Sequence, residues 1–385
     1  MPGYAAIDAA NTLQLGRNIL SGNPTFNHKS VLSAFLIAFL SIGSLLAMAW
    51  GFPCPEASSA NAAGVQDVGQ WTVVSSPVPV TYSLNSVAAV SKSDAWAVGY
   101  KGYAANGVSY GPLILHWNGS AWSEVLLSST VTDYYNLESV IMLSANDVWS
   151  VGGGDWWGDS FGAILHWDGN TWKKTGGGTN YLKSVSAVSG TNVWAAGVYK
   201  VKNVPIGTTF GSATTHWDGS AWAGLVHIGW YGLNSVAMVS SNNGWAVGRM
   251  ILRWNGTAWN SVNPFVTQLL RSVTMISASE GWAVGDSGTI LHWDGSSWSE
   301  ASSPVSQTLN SVTMVSADEG WAVGDSGTIV HWDGDTWSQV SSPVTQTLKS
   351  VTMISANEGW AVGEKGTILH YTNVKKLYLP LVVRQ

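Results

Sequence analysis

The sequence predicts an all-β fold built from a repeated four-stranded unit, and three observations support this prediction. The chain has 24 Trp and 43 Gly beside only 10% charged residues, which is typical of short aromatic strands joined by tight turns. Its 45% hydrophobic content is enough for a folded core. A Ser-Val pair recurs seven times, each followed by W-[AS]-[VA]-G and, in six copies, by [HR]-W-[DN]-G-x-x-W.

Each unit divides into four short strands. In the fifth copy, the segments SVTMIS, GWAVG, TILHW and WSEASS are separated by the polar turns ASE, DSG and DGSS. Four antiparallel strands in roughly 40 residues, repeated in tandem, are the pattern of a β-propeller. We therefore predict a seven-bladed β-propeller of four-stranded antiparallel blades over residues 71–373.

The last blade is predicted to be completed from the other end of the chain. The seventh unit stops at Asn373 without a fourth strand, whereas WTVVSSPV, which begins at Trp71, matches the fourth-strand segments WSEASSPV and WSQVSSPV. The first strand of the folded region should therefore close the ring and leave no free sheet edge. Closure places the Ser-Val strand innermost. From the serine onward these strands are uncharged, which predicts a channel wall without acid, base or metal ligand.

The N-terminal region predicts export. An apolar run at 31–52 follows basic residues and is long enough either for a signal peptide or for a membrane anchor. Cleavage after Ala62 and retention as an anchor are both open. Either outcome predicts a secreted or cell-surface protein, with an N-terminal extension at 1–62, a linker at 63–70 and a C-terminal tail at 374–385.

Charge and cysteine usage exclude several classes of function. The net charge is −6 with five Arg in the chain, so the sequence has no basic stripe for nucleic acid. Cys54 is the single cysteine and cannot form a disulfide within one chain. We expect no cofactor, no membrane contact beyond an uncleaved N-terminal segment, and a monomer.

The repeated histidines are predicted to be structural. They occupy one position in six blades, and Arg253 takes that position in the fourth blade. The histidines are His116, His166, His216, His292, His331 and His370. A shared metal needs ligand atoms about 2 Å away, whereas equivalent residues on packed sheets are about 10 Å apart. Likewise, the Asp-Gly turns become Asn-Gly at Asn118 and Asn255, which suits a turn and not a catalytic carboxylate.

The repeats resemble those of the photosystem II stability and assembly factor family and, more loosely, the Asp-box (BNR) repeats of sialidase-like propellers. The segment GWAVGDSGTI, followed by an Asp-Gly hairpin and Trp, carries this resemblance. It implies a propeller that is exported, ring-shaped and non-catalytic. Sialidase chemistry would require three converging arginines, but the arginines of the propeller, Arg249, Arg253 and Arg271, lie in one stretch of the chain.

Departures from the repeat predict the binding site. The loops between the second and third strands are long in the first three blades, at 100–112, 153–162 and 198–211. Such loops share one face of a propeller with the connections between blades, and loops on rigid strands often carry function. The predicted ligand-binding residues on this face are Tyr100, Tyr103, Tyr110, Tyr134, Tyr135, Asp155, Trp156, Trp157, Asp159, Phe161, Tyr199, Phe210, Trp230 and Tyr231.

Three functions remain open on these grounds. Clustered aromatics favour a non-catalytic binding or scaffold module for a glycan or protein at the cell surface, unless the loops only pack on one another. An assembly chaperone like the photosystem factors is the second possibility. A glycoside hydrolase or lyase is the third, with Asp155 and Asp159 as its candidate carboxylates.

Overall fold

The repeated segments form the four strands of each blade, in the order that the sequence predicts. The computed structural model describes residues 65–102, 111–128, 135–156, 159–178, 180–201, 209–223, 226–227, 231–263 and 267–377. Within these residues, seven four-stranded antiparallel sheets form the blades, which confirms the predicted fold class. The apolar run at 31–52 lies outside the described residues, so export remains a prediction. The described residues contain no helix long and apolar enough to cross a bilayer.

The first three complete blades contain strands of up to ten residues. Blade one is β2 (Ser83–Ser91), β3 (Asp94–Tyr100), β4 (Pro112–Trp117) and β5 (Trp122–Glu124). Blade two is β6 (Asn136–Ser144), β7 (Asp147–Trp156), β8 (Asp159–Trp167) and β9 (Trp172–Gly176). Blade three is β10 (Asn180–Ser189), β11 (Asn192–Val201), β12 (Thr209–Trp217) and β13 (Val226–His227).

Blades four to six are shorter. Blade four is β14 (Leu233–Ser240), β15 (Asn243–Gly248), β16 (Ile251–Trp254) and β17 (Trp259–Asn263). Blade five is β18 (Leu270–Ser277), β19 (Glu280–Gly285), β20 (Ile290–Trp293) and β21 (Trp298–Glu300). Blade six is β22 (Leu309–Ser316), β23 (Glu319–Gly324), β24 (Ile329–Trp332) and β25 (Trp337–Val340).

The seventh blade joins both ends of the repeat region. It contains β26 (Leu348–Ser355), β27 (Glu358–Gly363), β28 (Ile368–Leu377) and β1 (Val65–Val73), in the order β1-β28-β27-β26. Short 3-10 turns follow the second strand in blades five to seven, at Asp286–Gly288, Asp325–Gly327 and Glu364–Gly366. The sheet order agrees with the predicted closure of the ring by the N-terminal strand.

The apolar core lies between blades and not within them. Seven clusters of buried side chains each combine residues from two neighbouring blades. At the first junction, Trp96 of blade one packs against Trp167 and Trp172 of blade two, with ring centroids 5.0 and 5.2 Å apart. Indole rings are large enough to fill the widening space between two twisted sheets. This packing accounts for the three tryptophan positions of the repeat.

A ring of hydrogen bonds joins the innermost strands. The serine of each Ser-Val pair accepts a hydrogen bond from the valine N–H of the next blade, at 3.1 to 3.3 Å, all the way round. Ser86, for example, accepts from Val140, and Ser350 of blade seven accepts from Val87 of blade one. The serine supplies the acceptor of this bond, and the valine side chain is buried in the apolar cluster between blades, which explains why the pair recurs.

The two ends of the propeller differ in what they carry. Because the strands of a blade alternate in direction, the second-to-third strand loops and the blade connections share one end, which we call the loop face and which includes the Asp286–Gly288 turn. The Asp-Gly hairpins lie at the opposite end, the turn face, where Asp294 Oδ1 accepts the Ser296 N–H at 2.8 Å.

Closure of the ring should depend on the aromatic ring that β1 contributes. Trp71 is buried against Trp321 and Tyr371, with centroids 5.5 and 5.2 Å away. Trp71→Ala should lower the free energy of unfolding by about 3–5 kcal/mol, because it leaves a cavity where the last blade closes. Val73→Ala on the same strand is the control, since Val73 is 59% exposed. Urea unfolding measures both; equal losses would contradict the proposed role of Trp71.

Removal of one serine from the hydrogen-bonded ring should also destabilise the fold. Ser235→Ala leaves the N–H of Val273, a buried donor, without its acceptor, and we expect a loss of about 1–3 kcal/mol. Ser299→Ala on the exposed part of β21 is the matched control and should change little. An unchanged amide exchange rate at Val273 in the Ser235 variant would show that the bond contributes nothing.

Candidate functional site

A β-bulge interrupts the first strand of every blade at the same place. In blade one, Leu84 pairs with Gly99 and Ser86 pairs with Val98, so Asn85 is an extra residue between them. The same register shift occurs in the other six blades. We call the seven bulged residues the axial ring; they are Asn85, Glu138, Lys183, Asn234, Arg271, Asn310 and Lys349.

The repeat sequence explains why the bulge forms where it does. The leucine before each bulged residue is fully buried between blades, and the serine after it bonds to the next blade, so the residue between them is displaced. The bulge also brings a backbone carbonyl close to the last glycine of W-A-V-G. A Cβ at Gly99 would lie 1.9 Å from the Ser83 carbonyl oxygen. Bulges redirect side chains, and here they do so at the loop-face end of the innermost strands.

A hydrogen-bonded chain crosses blades seven, one, two and three. Lys349 Nζ donates to Ser83 Oγ at 3.1 Å and to Asn85 Oδ1 at 3.0 Å. Asn85 Nδ2 in turn donates to Glu138 Oε2 at 3.3 Å, and Tyr181 OH of blade three donates to Glu138 Oε1. Side chains from four blades are thus connected around the axis.

A second chain crosses blades three to five. Lys183 Nζ donates to Asn234 Oδ1 at 2.9 Å, and Asn234 Nδ2 donates to the Leu270 carbonyl at 2.8 Å. Arg271 and Asn310 instead bond to carboxylates of the short turns on the loop face. Arg271 Nε lies 2.7 Å from Asp286 Oδ1, and Asn310 Nδ2 donates to Asp325 Oδ1 at 2.9 Å.

Burial perturbs the acid and one base of the axial ring. The pKa of Glu138 is raised because burial disfavours its charged form; the Tyr181 hydrogen bond and the charges of Lys349 and Lys183 oppose that rise. The pKa of Lys183 is lowered, again mainly by burial; Glu138 counteracts this shift, and the positive charge of Arg271 adds to it. The ring is therefore a partly desolvated electrostatic site and not a freely hydrated surface.

The described aromatic residues of the predicted site have different environments. Tyr100 ends β3, and its ring centroid is 5.5 Å from Lys349 Nζ. Phe161 is half-buried against the cluster between blades one and two, and half-buried Tyr199 lies over Gly211. Tyr231 is 41% exposed. These four side chains thus differ in exposure and in local contacts, and a shared aromatic surface stays a prediction.

Tyr135 corrects the sequence prediction. It was expected on an exposed aromatic face, but it is fully buried in the cluster between blades one and two. The residue lies one position before β6, where the chain enters the innermost strand. An aromatic side chain at that point can fill the junction between two blades, as the repeat tryptophans do.

The other predicted residues lie wholly or partly outside the described region. Tyr103, Tyr110, Tyr134, Trp157 and Trp230 lie outside the described residues. Only the backbone is described at Asp155, Trp156, Asp159 and Phe210. Asp155 pairs with Ser160, whereas Asp159 pairs with Trp156, so the two aspartates do not form one cross-strand pair. The arrangement gives no direct support to paired catalytic carboxylates.

The repeat histidines have defined local partners. His292 Nε2 lies 2.7 Å from Glu280 Oε1, and its ring is 4.4 Å from that of Trp282. The other five histidines each lie beside the residue that opens the second strand of their own blade. In blade four, Arg253 lies over Trp245 at 5.3 Å. Among the described residues, no group of three or more His, Cys, Asp or Glu could hold a metal ion.

The axial ring was missed because the predicted inner strand began at the serine. The structure begins the inner strands earlier, for example at Ser83 in blade one, so the charged residues before the serine belong to them. The expectation of a channel without acid or base therefore fails at the loop-face mouth. A signal was present: this one position changes between amide, acid and base while the residues after it hardly vary.

Comparisons with known proteins identify the class of fold. No protein-family model and no curated protein matches the chain. Solved structures do match. The chain is similar to YCF48, a photosystem II assembly factor, in its structure bound to a D1 peptide, with 18% identity, a TM-score of 0.59 and coverage of 81% of this chain and 99% of that one.

Two further structures support the same conclusion. YCF48 from Cyanidioschyzon merolae has 15% identity and a TM-score of 0.57, with coverage of 78% of this chain and 98% of that one. The WD40 β-propeller domain of Doa1 has 13% identity and a TM-score of 0.57, with coverage of 80% and 97%. At these identities, the structural similarity establishes the fold alone. It confirms the predicted resemblance to the propellers of photosystem II assembly factors.

The buried carboxyl of Glu138 should make stability depend on pH. Its folded-state pKa is raised, so its stabilising contribution is complete below the unfolded-state pKa and is lost as pH rises through the folded-state value. Relative to wild type, Glu138→Gln should therefore gain stability as pH rises from about 4 to about 8. Urea unfolding across this range measures the difference.

Glu300→Gln is the control for that series, because Glu300 is an exposed glutamate on β21. It measures how removal of an exposed carboxyl changes stability over the same pH range. A pH dependence of Glu138→Gln no different from that of Glu300→Gln would contradict the conclusion that burial controls the ionisation of Glu138.

Proposed function

We propose that this protein is a non-catalytic binding module that holds a polypeptide partner on its loop face. The observation that carries the proposal is the axial ring, in which one structural position presents amide, acidic and basic groups on successive blades. Contacts between blades do not account for this variation. The flanking leucine and serine make such contacts in every blade, and the three asparagines add a bond to the leucine carbonyl of the next blade, yet Glu, Lys or Arg stands at the same position in the other four blades. Varied polar groups around one opening are suited to recognise a ligand of defined shape and charge.

The loops of blades two and three favour the same face. In blade five, the second strand, β19, ends at Gly285, the last glycine of W-A-V-G. In blades two and three the equivalent glycines are Gly152 and Gly197, and strands β7 and β11 continue four residues past them. Four further residues extend each strand by about 13 Å. These two hairpins stand next to the half of the ring that contains Glu138 and Lys183, and they give a partner more surface to contact.

The structural neighbours are consistent with a protein ligand. YCF48 has been observed with a D1 peptide, and a second neighbour is a WD40 propeller. At the identities involved, this is support by analogy of fold. An assembly-factor role is the form of polypeptide binding that the neighbour's name suggests for this chain, and the export predicted from residues 31–52 would place it outside the cytoplasm.

The alternatives have less support from the described residues. Glycan stacking requires exposed aromatic faces, whereas Tyr135 is buried and Phe161 and Tyr199 are half-buried. A hydrolase would require paired carboxylates, and the register of Asp155 and Asp159 does not pair them. Each repeat histidine bonds to the residue that opens the second strand of its own blade, which is Asp, Glu or, beside His216, Asn192.

Site-specific photo-crosslinking tests the proposed face. Benzoylphenylalanine replaces Gln307, an exposed residue in the blade connection on the loop face, or Ser296, an exposed residue on the turn face. The probe is carboxymethylated α-lactalbumin, a permanently unfolded polypeptide. We expect saturable binding and crosslinking at position 307 at least about fivefold stronger than at position 296, because partner recognition is confined to one face.

Two further assays distinguish the alternatives. The labelled wild-type chain is applied to a glycan array and incubated with chromogenic glycosides. Glycan binding without polypeptide binding, or turnover of a glycoside, would overturn the proposal. Equal crosslinking from both faces would show that the polypeptide adheres without using the loop face.

A further inference from the structure

Most hydrogen-bond acceptors of the axial ring are already satisfied by neighbours in the ring. Asn85 Oδ1 receives a bond from Lys349, and Asn234 Oδ1 receives one from Lys183. Both carboxylate oxygens of Glu138 also receive bonds, one from Tyr181 and one from Asn85. A ligand that approaches these atoms finds few acceptors to which it could donate.

The hydrogen-bond donors of the axial ring are, in contrast, only partly used. An ammonium has three N–H groups and a guanidinium has five. Within the described residues, Lys183 uses one N–H for Asn234, and Arg271 uses Nε for Asp286. Two N–H groups of Lys183 and four of Arg271 are left for a ligand. The Arg271 side chain is 42% exposed, so its four remaining N–H groups are accessible from the loop face.

Lys183 and Arg271 lie close enough to influence each other. They belong to blades three and five, and Asn234 of blade four connects them through its bonds to Lys183 and to the Leu270 carbonyl. The charge of Arg271 lowers the pKa of Lys183, as does burial. Two cations that repel each other in a partly desolvated site are stabilised by an anion between them.

Lys349, the third cation of the ring, is engaged differently. It donates to both Ser83 and Asn85, and it also lies over the Tyr100 ring. These contacts tie it to blade one and occupy two of its three N–H groups. The surplus of donors is therefore greatest between blades three and five.

We propose that Lys183, Asn234 and Arg271 form a subsite for a carboxylate group of the polypeptide partner. This inference rests on the proposed function and specifies its ligand chemistry. The two cations can each donate to one carboxylate oxygen, in bonds that are stronger than neutral ones. Asn234 holds Lys183 in place between them.

The surrounding charges favour a carboxylate over a phosphate. Glu138 lies near Lys183, and Asp286 is bonded to Arg271, so an acidic side chain stands beside each cation of the subsite. A phosphate group with nearly two negative charges would be repelled more strongly by these carboxylates than a singly charged carboxylate. The site is therefore matched to an Asp or Glu side chain or to a chain terminus.

Matched peptides test the subsite with the full chain. Two fluorescein-labelled 12-residue probes contain repeated Gly-Ser-Asp or Gly-Ser-Asn, which differ in charge but hardly in shape, and fluorescence anisotropy at low ionic strength measures their affinities. We expect the Asp peptide to bind at least about tenfold more tightly, with the preference lost in Lys183→Gln and Arg271→Gln. Lys183→Arg should keep the preference, because it retains the positive charge.

A lysine on the other face provides the control variant. Lys173 is exposed on β9, where it bonds to Asp168 beside a turn-face hairpin, so Lys173→Gln removes the same charge far from the ring. Its Asp preference should match that of wild type. If Lys173→Gln loses as much of the Asp preference as Lys183→Gln does, the preference comes from general charge attraction and the subsite is overturned. This holds also when every variant unfolds at the wild-type temperature.

The remaining outcomes separate this inference from the proposed function. Equal affinity of the wild type for the Asp and Asn peptides would overturn the carboxylate subsite while leaving polypeptide binding intact. Binding of neither peptide would contradict both. Tighter binding of a phosphoserine peptide than of the Asp peptide would replace the carboxylate with a phosphate and overturn the inference in the form given.

Discussion

The hydrogen bond between a serine on one innermost strand and a valine on the next sets the geometry of the whole propeller. It is made seven times and returns to its starting blade through Ser350 and Val87. The leucine two positions before each serine is fixed by burial between blades. Because both positions are fixed, the extra residue between them is left out of the strand pairing and forms a bulge at the loop-face end of the innermost strand. A structural constraint thus produces seven positions whose side chains are free to differ.

This separation of tasks lets one sequence position vary while the architecture is kept. The blade junctions are filled by tryptophan and leucine, and the turns are closed by Asp-Gly or Asn-Gly pairs whose side chains accept backbone N–H bonds. Neither task involves the bulged residue. The axial ring can therefore contain Glu138 in one blade and Lys183 in the next, and the same scaffold can serve unrelated ligands. Similar folds at 13 to 18% identity illustrate how little the architecture requires of individual residues.

The blades and their closure follow directly from the sequence, because hydrophobic periodicity, glycine turns and spacing all repeat. Trp71 could be assigned to the last blade because its segment matched other fourth strands. The axial ring could not be found in the same way, since a bulge is not visible as a pattern of polarity and Lys183 precedes a motif that marks an apparent strand start. Tyr135 shows the opposite error. Sequence indicates that an aromatic residue breaks the repeat, but burial depends on which blade lies beside it.

Closure by β1 places partners nearly the whole propeller apart in sequence. Thr72 Oγ1 donates to the His370 carbonyl across 298 positions. During synthesis, β1 emerges first and its neighbour β28 emerges last. Six blades can assemble by local contacts before β28 is available, and until then the backbone N–H and C=O groups of β1 have no partner strand. Closure therefore requires the complete set of blades: a chain interrupted before its final strand lacks the partner of β1, and Trp71 loses its contact with Tyr371.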